Sequence, residues 1–138
     1  MWCKFKEKSP DMQEKEIDKI VEQYRKKAPI KIPNTVKYRA KSMEGGYEQI
    51  AYKWSDETYK YEARWHTRTP RAPKEQGNTW VIQRTIPGNG RKKPEIQFLI
   101  GKNEWIKGSE WYAAINARKT GKSTKEQIEL LDKGHWKE

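Results

Sequence analysis

The residues best suited to chemistry lie between Tyr59 and Pro87. The run Tyr59-Lys60-Tyr61-Glu62-Ala63-Arg64-Trp65-His66 alternates apolar and polar side chains, and a strand sends successive side chains to opposite faces. Tyr59, Tyr61, Ala63 and Trp65 share a face that can pack on a core. Lys60, Glu62, Arg64 and His66 share the other, which the alternation predicts to be displayed. His66 is the group there that titrates near neutral pH without help. Arg68, Arg71 and Arg84 follow in the same stretch.

These types suit cleavage of RNA without a metal. The 2′-hydroxyl is the nucleophile, so the protein must supply a base, an acid and donors for the phosphorane charge. His66 can be base or acid. Glu62 lies four residues away on the same face, roughly 13 Å along the strand, too far for a direct pair. Thr67, Thr69 and Thr85 can donate hydroxyl hydrogen bonds, and Arg68, Arg71 and Arg84 can grip phosphate bidentately. Trp65, Trp80 or Tyr61 can stack a base. Lys60, Arg64 and the run Arg91-Lys92-Lys93 add backbone contacts. Each residue also has a plainer reading. His66 reads equally as a strand-end histidine, Arg84 as a partly buried arginine holding the sheet, and the tryptophans as core. The run at 91–93 reads also as a solvated turn, and His135 as a cap or packing residue.

Other chemistries find less material. Two histidines, His66 and His135, occur without HxxxH or HExxH spacing, and the single Cys3 permits neither an intrachain disulfide nor a cysteine metal site. No metal or cofactor is expected. There is no GxSxG elbow, Walker or dinucleotide glycine motif; Gly121-Lys122-Ser123 lacks the upstream glycine of a phosphate loop.

Composition points the same way. The chain has 138 residues and a formal net charge of +11. From Lys60 to Pro94 there are nine basic residues against two acidic ones. A concentrated excess of this kind favours a polyanion partner, because contact with a phosphate backbone releases counterions. An acidic protein would satisfy the same charge. Apolar residues make up 33%, but seven Trp and seven Tyr can build an aromatic core, and disordered chains lack such residues. No transmembrane run or signal peptide is visible, and no membrane partner is expected. The start Met1-Trp2-Cys3-Lys4 fits a domain cut from a longer parent.

The elements that position these residues read as α+β: an N-terminal helix, about four antiparallel strands and two short C-terminal helices. A single domain is expected over residues 1–138, with 1–46 as helix and irregular lead-in and 47–138 as the working core. Ser9-Pro10-Asp11 starts a helix to about residue 27, with Ile17, Ile20, Val21 and Tyr24 as its apolar stripe. Thr35 to Lys41 holds a short strand. Tyr47–Trp54, Thr58–His66, Thr79–Ile86 and Glu95–Gly101 are the main strands. The last is nearly all apolar over 96–100, hence central and buried on both faces. Ser109 is expected to cap a helix carrying Trp111, Ala114, Ile115 and Arg118. Ser123 with Glu126 reads as a capping box for a final helix contacting the core through Ile128 and Leu131 and ended by Gly134.

Trp65-His66-Thr67-Arg68-Thr69-Pro70, Gly77-Asn78-Thr79-Trp80-Val81-Ile82, Asn103-Glu104-Trp105, Trp111 and Gly134-His135-Trp136 resemble the C-terminal toxin domains of bacterial polymorphic toxins, as carried by LXG-type secreted and contact-dependent inhibition proteins. The resemblance covers about residues 58–138. It implies a nuclease similar to the barnase/EndoU/colicin/RelE group, with a helix before an antiparallel sheet that bears the site. It also implies delivery on a longer parent chain into a competitor's cytoplasm and restraint by an acidic cognate immunity protein over Lys60–Lys93. The resulting expectation is a metal-independent ribonuclease acting on tRNA or another structured RNA. A metal-dependent DNase using Glu62 and His66 and a non-enzymatic nucleic-acid-binding module are the alternatives.

Overall fold

The computed structural model describes residues 10–69, 72 and 74–137, over 10–15 as backbone only. Arg71 and the cap residue Ser9 lie outside the described residues. The elements in order are α1 (Pro10–Arg25), β1 (Lys37–Met43), β2 (Tyr47–Ser55), β3 (Lys60–His66), β4 (Thr79–Ile86), β5 (Glu95–Gly101), β6 (Glu104–Lys107), α2 (Gly108–Lys119), α3 (Lys125–Gly134) and β7 (Trp136–Lys137). A turn of 3₁₀ helix covers Lys74–Gln76.

Local chemistry sets the turns. Gly46 takes a φ of 89° between β1 and β2, a region open to glycine at no steric cost. Asp56 accepts from the backbone N–H of Thr58 and Tyr59 at 2.8 and 2.7 Å, the Asx geometry that lets a short polar side chain shape a turn. Asn89 does the same for Arg91 and Lys92. Such turns join neighbours, so the strands lie in sequence order, β1-β2-β3-β4-β5-β6, with every pairing antiparallel.

β7 completes a seven-stranded sheet. β5 pairs with β4 over Gln83–Ile86 only, and β7 takes Thr79 and Trp80. The sheet therefore exceeds the expected four strands: β1, foreseen as a short strand over Thr35–Lys41, joins it, as do β6 and β7. The last two are four and two residues long, too short to show a period in sequence.

Helices cover both faces. On one, Ile20 and Val21 of α1 pack with Ile50, Tyr52, Ala63, Trp65, Trp80, Ile82 and Leu99. Tyr24 stacks on Trp65 at 4.4 Å, and the Tyr52 hydroxyl donates to the Val21 carbonyl at 2.5 Å. On the other, Trp111 and Ala114 of α2 and Leu131 of α3 pack on Val81, Phe98 and Ile100. Phe98, Leu99 and Ile100 of β5 are buried in alternate cores, as an uninterrupted apolar run requires.

Several local expectations shift. Ser109 lies inside α2, whose N-cap is Lys107 with no side-chain cap bond. The capping box of α3 is Thr124 with Gln127, one residue beyond Ser123 and Glu126. Ile128 is 59% exposed while Leu131 is buried. Gly134 is the last residue of α3, and a Cβ there would come within 2.1 Å of the Trp111 ring. Its smallness seats α3 on Trp111, so this glycine serves packing.

Candidate nucleic-acid interface

α2 and α3 cover only the β4–β5–β6 half of their face. Strand register identifies what the other half displays. Lys37, Arg39 and Lys41 of β1 sit opposite Lys53, Ala51 and Gln49 of β2. Those pair with Glu62, Arg64 and His66 of β3, with Lys60 beyond. Lys37, Arg39, Lys41, Lys53 and Lys60 are exposed. Glu62 is the single carboxylate of this surface on β1–β3, 3.9 Å from Lys53 and 3.5 Å from Arg64. The open half is thus a trough with six cations and one acid.

A groove of about 560 Å³ at one end is lined by Thr35, Lys37, Lys53, Lys60, Glu62, Gln83 and Thr85 among others. A second of about 240 Å³ continues past Arg39 and Lys41. On the floor of the first, the buried Oε1 of Gln83 has no hydrogen-bond partner, a costly state for a polar atom away from water.

His66 ends the trough where it meets the helical layer. It is 8% exposed and therefore recessed, which corrects the expectation of a displayed ring. Its Nδ1 donates to the Thr67 carbonyl at 3.1 Å, and its Nε2 lies 3.5 Å from Thr79 Oγ1. The Tyr47 ring meets it edge-on at 6.0 Å. Burial holds its pKa below the ordinary histidine value, and the Arg64 and Arg118 charges add to that effect against the Thr67 bond. His135 is 7% exposed and 6.4 Å from His66, ring centre to ring centre. Its pKa falls to about 4, chiefly through burial.

The expected site residues separate into groups. Lys60, Glu62, Arg64 and Thr85 face the trough, with Thr85 six positions along β4 from the His66 partner Thr79, roughly 20 Å away. Thr85 therefore cannot assist His66. Thr67 accepts from the Glu48 N–H at 2.9 Å through its hydroxyl, which fixes it structurally. Arg68 donates to the Ala72 carbonyl at 2.6 Å and so braces its own loop. Arg84 projects to the opposite face, between the Tyr59 and Trp105 rings at 4.0 and 4.1 Å, and donates to Gln97 at 2.7 Å. It holds the sheet and does not reach His66. Trp65 and Trp80 are 0% and 1% exposed, so neither can stack a base. Arg91, Lys92 and Lys93 are exposed in the β4–β5 turn, at the Lys60 end of the sheet.

Lys37, Arg39, Lys41 and Lys53 were missed. A signal existed: Lys37-Tyr38-Arg39-Ala40-Lys41 places a cation at every second position of a strand. The sequence places Arg118 with the apolar stripe of α2, and nothing in it signals that the Arg118 charge reaches two histidines. Among the described residues no three His, Cys, Asp or Glu side chains gather as a metal site. No described helix is long and apolar enough to cross a membrane. No protein-family model, curated protein or solved structure matches this chain.

Proposed function

We propose that this chain is an antibacterial toxin domain that acts as a ribonuclease, with the trough as the seat of the RNA backbone. The observation that carries the reading is the uncovered half of the sheet, where Lys37, Arg39, Lys41, Lys53, Lys60 and Arg64 surround one carboxylate. Such a surface gains by neutralising phosphates and releasing their counterions. The orphaned Gln83 amide oxygen supports a ribonucleotide, because a 2′-hydroxyl is a donor that could satisfy it. His66 at the trough's end supplies a titratable group for chemistry. The toxin role rests on the resemblance at Trp65–Pro70, Gly77–Ile82 and Gly134–Trp136. It carries with it delivery on a longer parent chain, action in the target cytoplasm, and an acidic immunity protein that covers the trough.

One observation favours a second reading, a binding module without turnover: both histidine rings are recessed. A cleavage assay on tRNA and on plasmid DNA, each with and without EDTA, separates the possibilities. Cutting of tRNA in EDTA is the expected result. Cutting of DNA that requires a divalent metal overturns the ribonuclease in favour of a DNase. Salt-dependent binding of RNA without cutting favours the module.

A further inference from the structure

His66 ends β3, whereas His135 lies 69 positions later, between α3 and β7. The β7–β4 pairing brings them together, since Thr79 of β4 pairs with His66 on one side and Lys137 on the other. His135 Nδ1 meets the Leu131 carbonyl at 2.6 Å, as His66 Nδ1 meets that of Thr67 at 3.1 Å. A carbonyl only accepts, so each neutral ring carries its proton on Nδ1 and leaves Nε2 unprotonated, that of His66 lying 3.5 Å from the Thr79 hydroxyl. Trp111 flanks His135 at 5.2 Å. The charged groups whose fields reach the two rings are Arg64 on β3, Arg118 on α2 and Asp132 on α3. Arg118 is half-buried and forms no ion pair among the described residues. Seven positions after Trp111, it lies two turns along the same face of α2, a cation whose field reaches two recessed bases with fixed tautomers.

We propose that His66 and His135 are the acid–base pair of a phosphodiester transesterification and that Arg118 holds the scissile phosphate. The proposal rests on the ribonuclease reading and names its machinery. One Nε2 takes the proton of the ribose 2′-hydroxyl as that oxygen bonds to phosphorus. The P–O5′ bond breaks, and the leaving oxygen takes a proton from Nε2 of the other ring, present as imidazolium. The products are a 2′,3′-cyclic phosphate and a 5′-hydroxyl; one ring gains the proton that the other loses. Burial discourages a proton on both rings in the free protein, and the Arg118 charge adds to that effect, joined at His66 by Arg64. A phosphate anion bound there opposes the cationic part of that effect and favours the imidazolium the reaction needs.

The test uses a labelled RNA oligonucleotide in EDTA, with product ends analysed and kcat followed against pH. Asparagine is the informative replacement, because its amide N–H stands where Nδ1–H stood and no Nε2 remains. His66→Asn and His135→Asn are each expected to lower kcat by about 100-fold or more. Binding of a non-cleavable 2′-deoxy analogue is expected to stay within about twofold, since the phosphate contacts persist. The bell-shaped pH profile loses a limb in each variant. Arg118→Met is expected to weaken analogue binding and kcat/KM together by about tenfold, and decides the matter if a histidine variant fails to fold. Folded His135→Asn cutting at the parent rate overturns the pair while the ribonuclease survives. Products ending in a linear 3′-phosphate formed without a cyclic intermediate also overturn it. No cleavage by the parent chain overturns both.

Discussion

Replacing His135 with asparagine is expected to flatten the acid limb of the stability curve. His135 has a folded pKa of about 4 against an ordinary value of 6.5, because burial penalises the imidazolium more than the Leu131 carbonyl and Asp132 favour it. The unfolded chain therefore binds more protons than the folded one between those values, and stability rises with pH across that window. The contribution is complete above the unfolded value and is lost as pH falls towards the folded one. At ~1.4 kcal/mol per pKa unit the full swing is roughly 3 kcal/mol, a large share of the 5–15 kcal/mol typical of a domain. His66 is shifted in the same direction, so the parent chain loses more than this and the variant isolates the His135 share. The assay is urea unfolding of both chains at about pH 7.5 and about pH 4.5, with m-values compared to confirm equal exposure on unfolding. On acidification the variant is expected to lose roughly 2–3 kcal/mol less than the parent. Parallel loss in the two chains would refute the burial argument, because it would mean that His135 is charged or hydrated in the folded state.

Three further outcomes follow from the packing and the trough. Gly134→Ala drives a methyl into the Trp111 ring; a loss of about 2 kcal/mol or more by chemical denaturation is expected, because a packed interior relaxes only partly. Arg39→Glu with Lys53→Glu, both exposed, is expected to weaken RNA binding and to reduce the slope of log K against log salt by about 1.4 for single strands, measured by fluorescence anisotropy. The melting temperature of that variant changes little. Arg84→Met removes the guanidinium between Tyr59 and Trp105 and is expected to cost ~1–2 kcal/mol of stability with RNA affinity unchanged; a selective loss of affinity would return Arg84 to the binding surface.

Strand periodicity made β2, β3, β4 and β5 legible almost to the residue, since alternating aromatic and charged side chains mark a sheet with one buried face. The stripe Ile17-Ile20-Val21-Tyr24 made α1 legible for the same reason at helical spacing. Parity correctly placed Lys60, Glu62 and Arg64 on a common face. It failed for His66 because alternation assigns a side chain to a face without telling what covers that face. It also set Arg84 with Trp80 and Ile82, the face on which the arginine holds the sheet, so the grouping of Arg84 with His66 as a catalytic pair ran against parity.

The amino-acid sequence by itself determined the helix, the main strands, the hairpin of β2 with β3 and the concentrated positive charge, because each is written in residues a few positions apart. Only the tertiary structure decided which half of the sheet stays open and that His135 meets His66. Those outcomes depend on where α2 and α3 come to rest and on β7 taking the part of β4 that β5 leaves unpaired. Contacts between residues so far apart in the chain are selected by the best joint packing of Trp111, Gly134, Phe98 and Leu131, a property that no local pattern encodes.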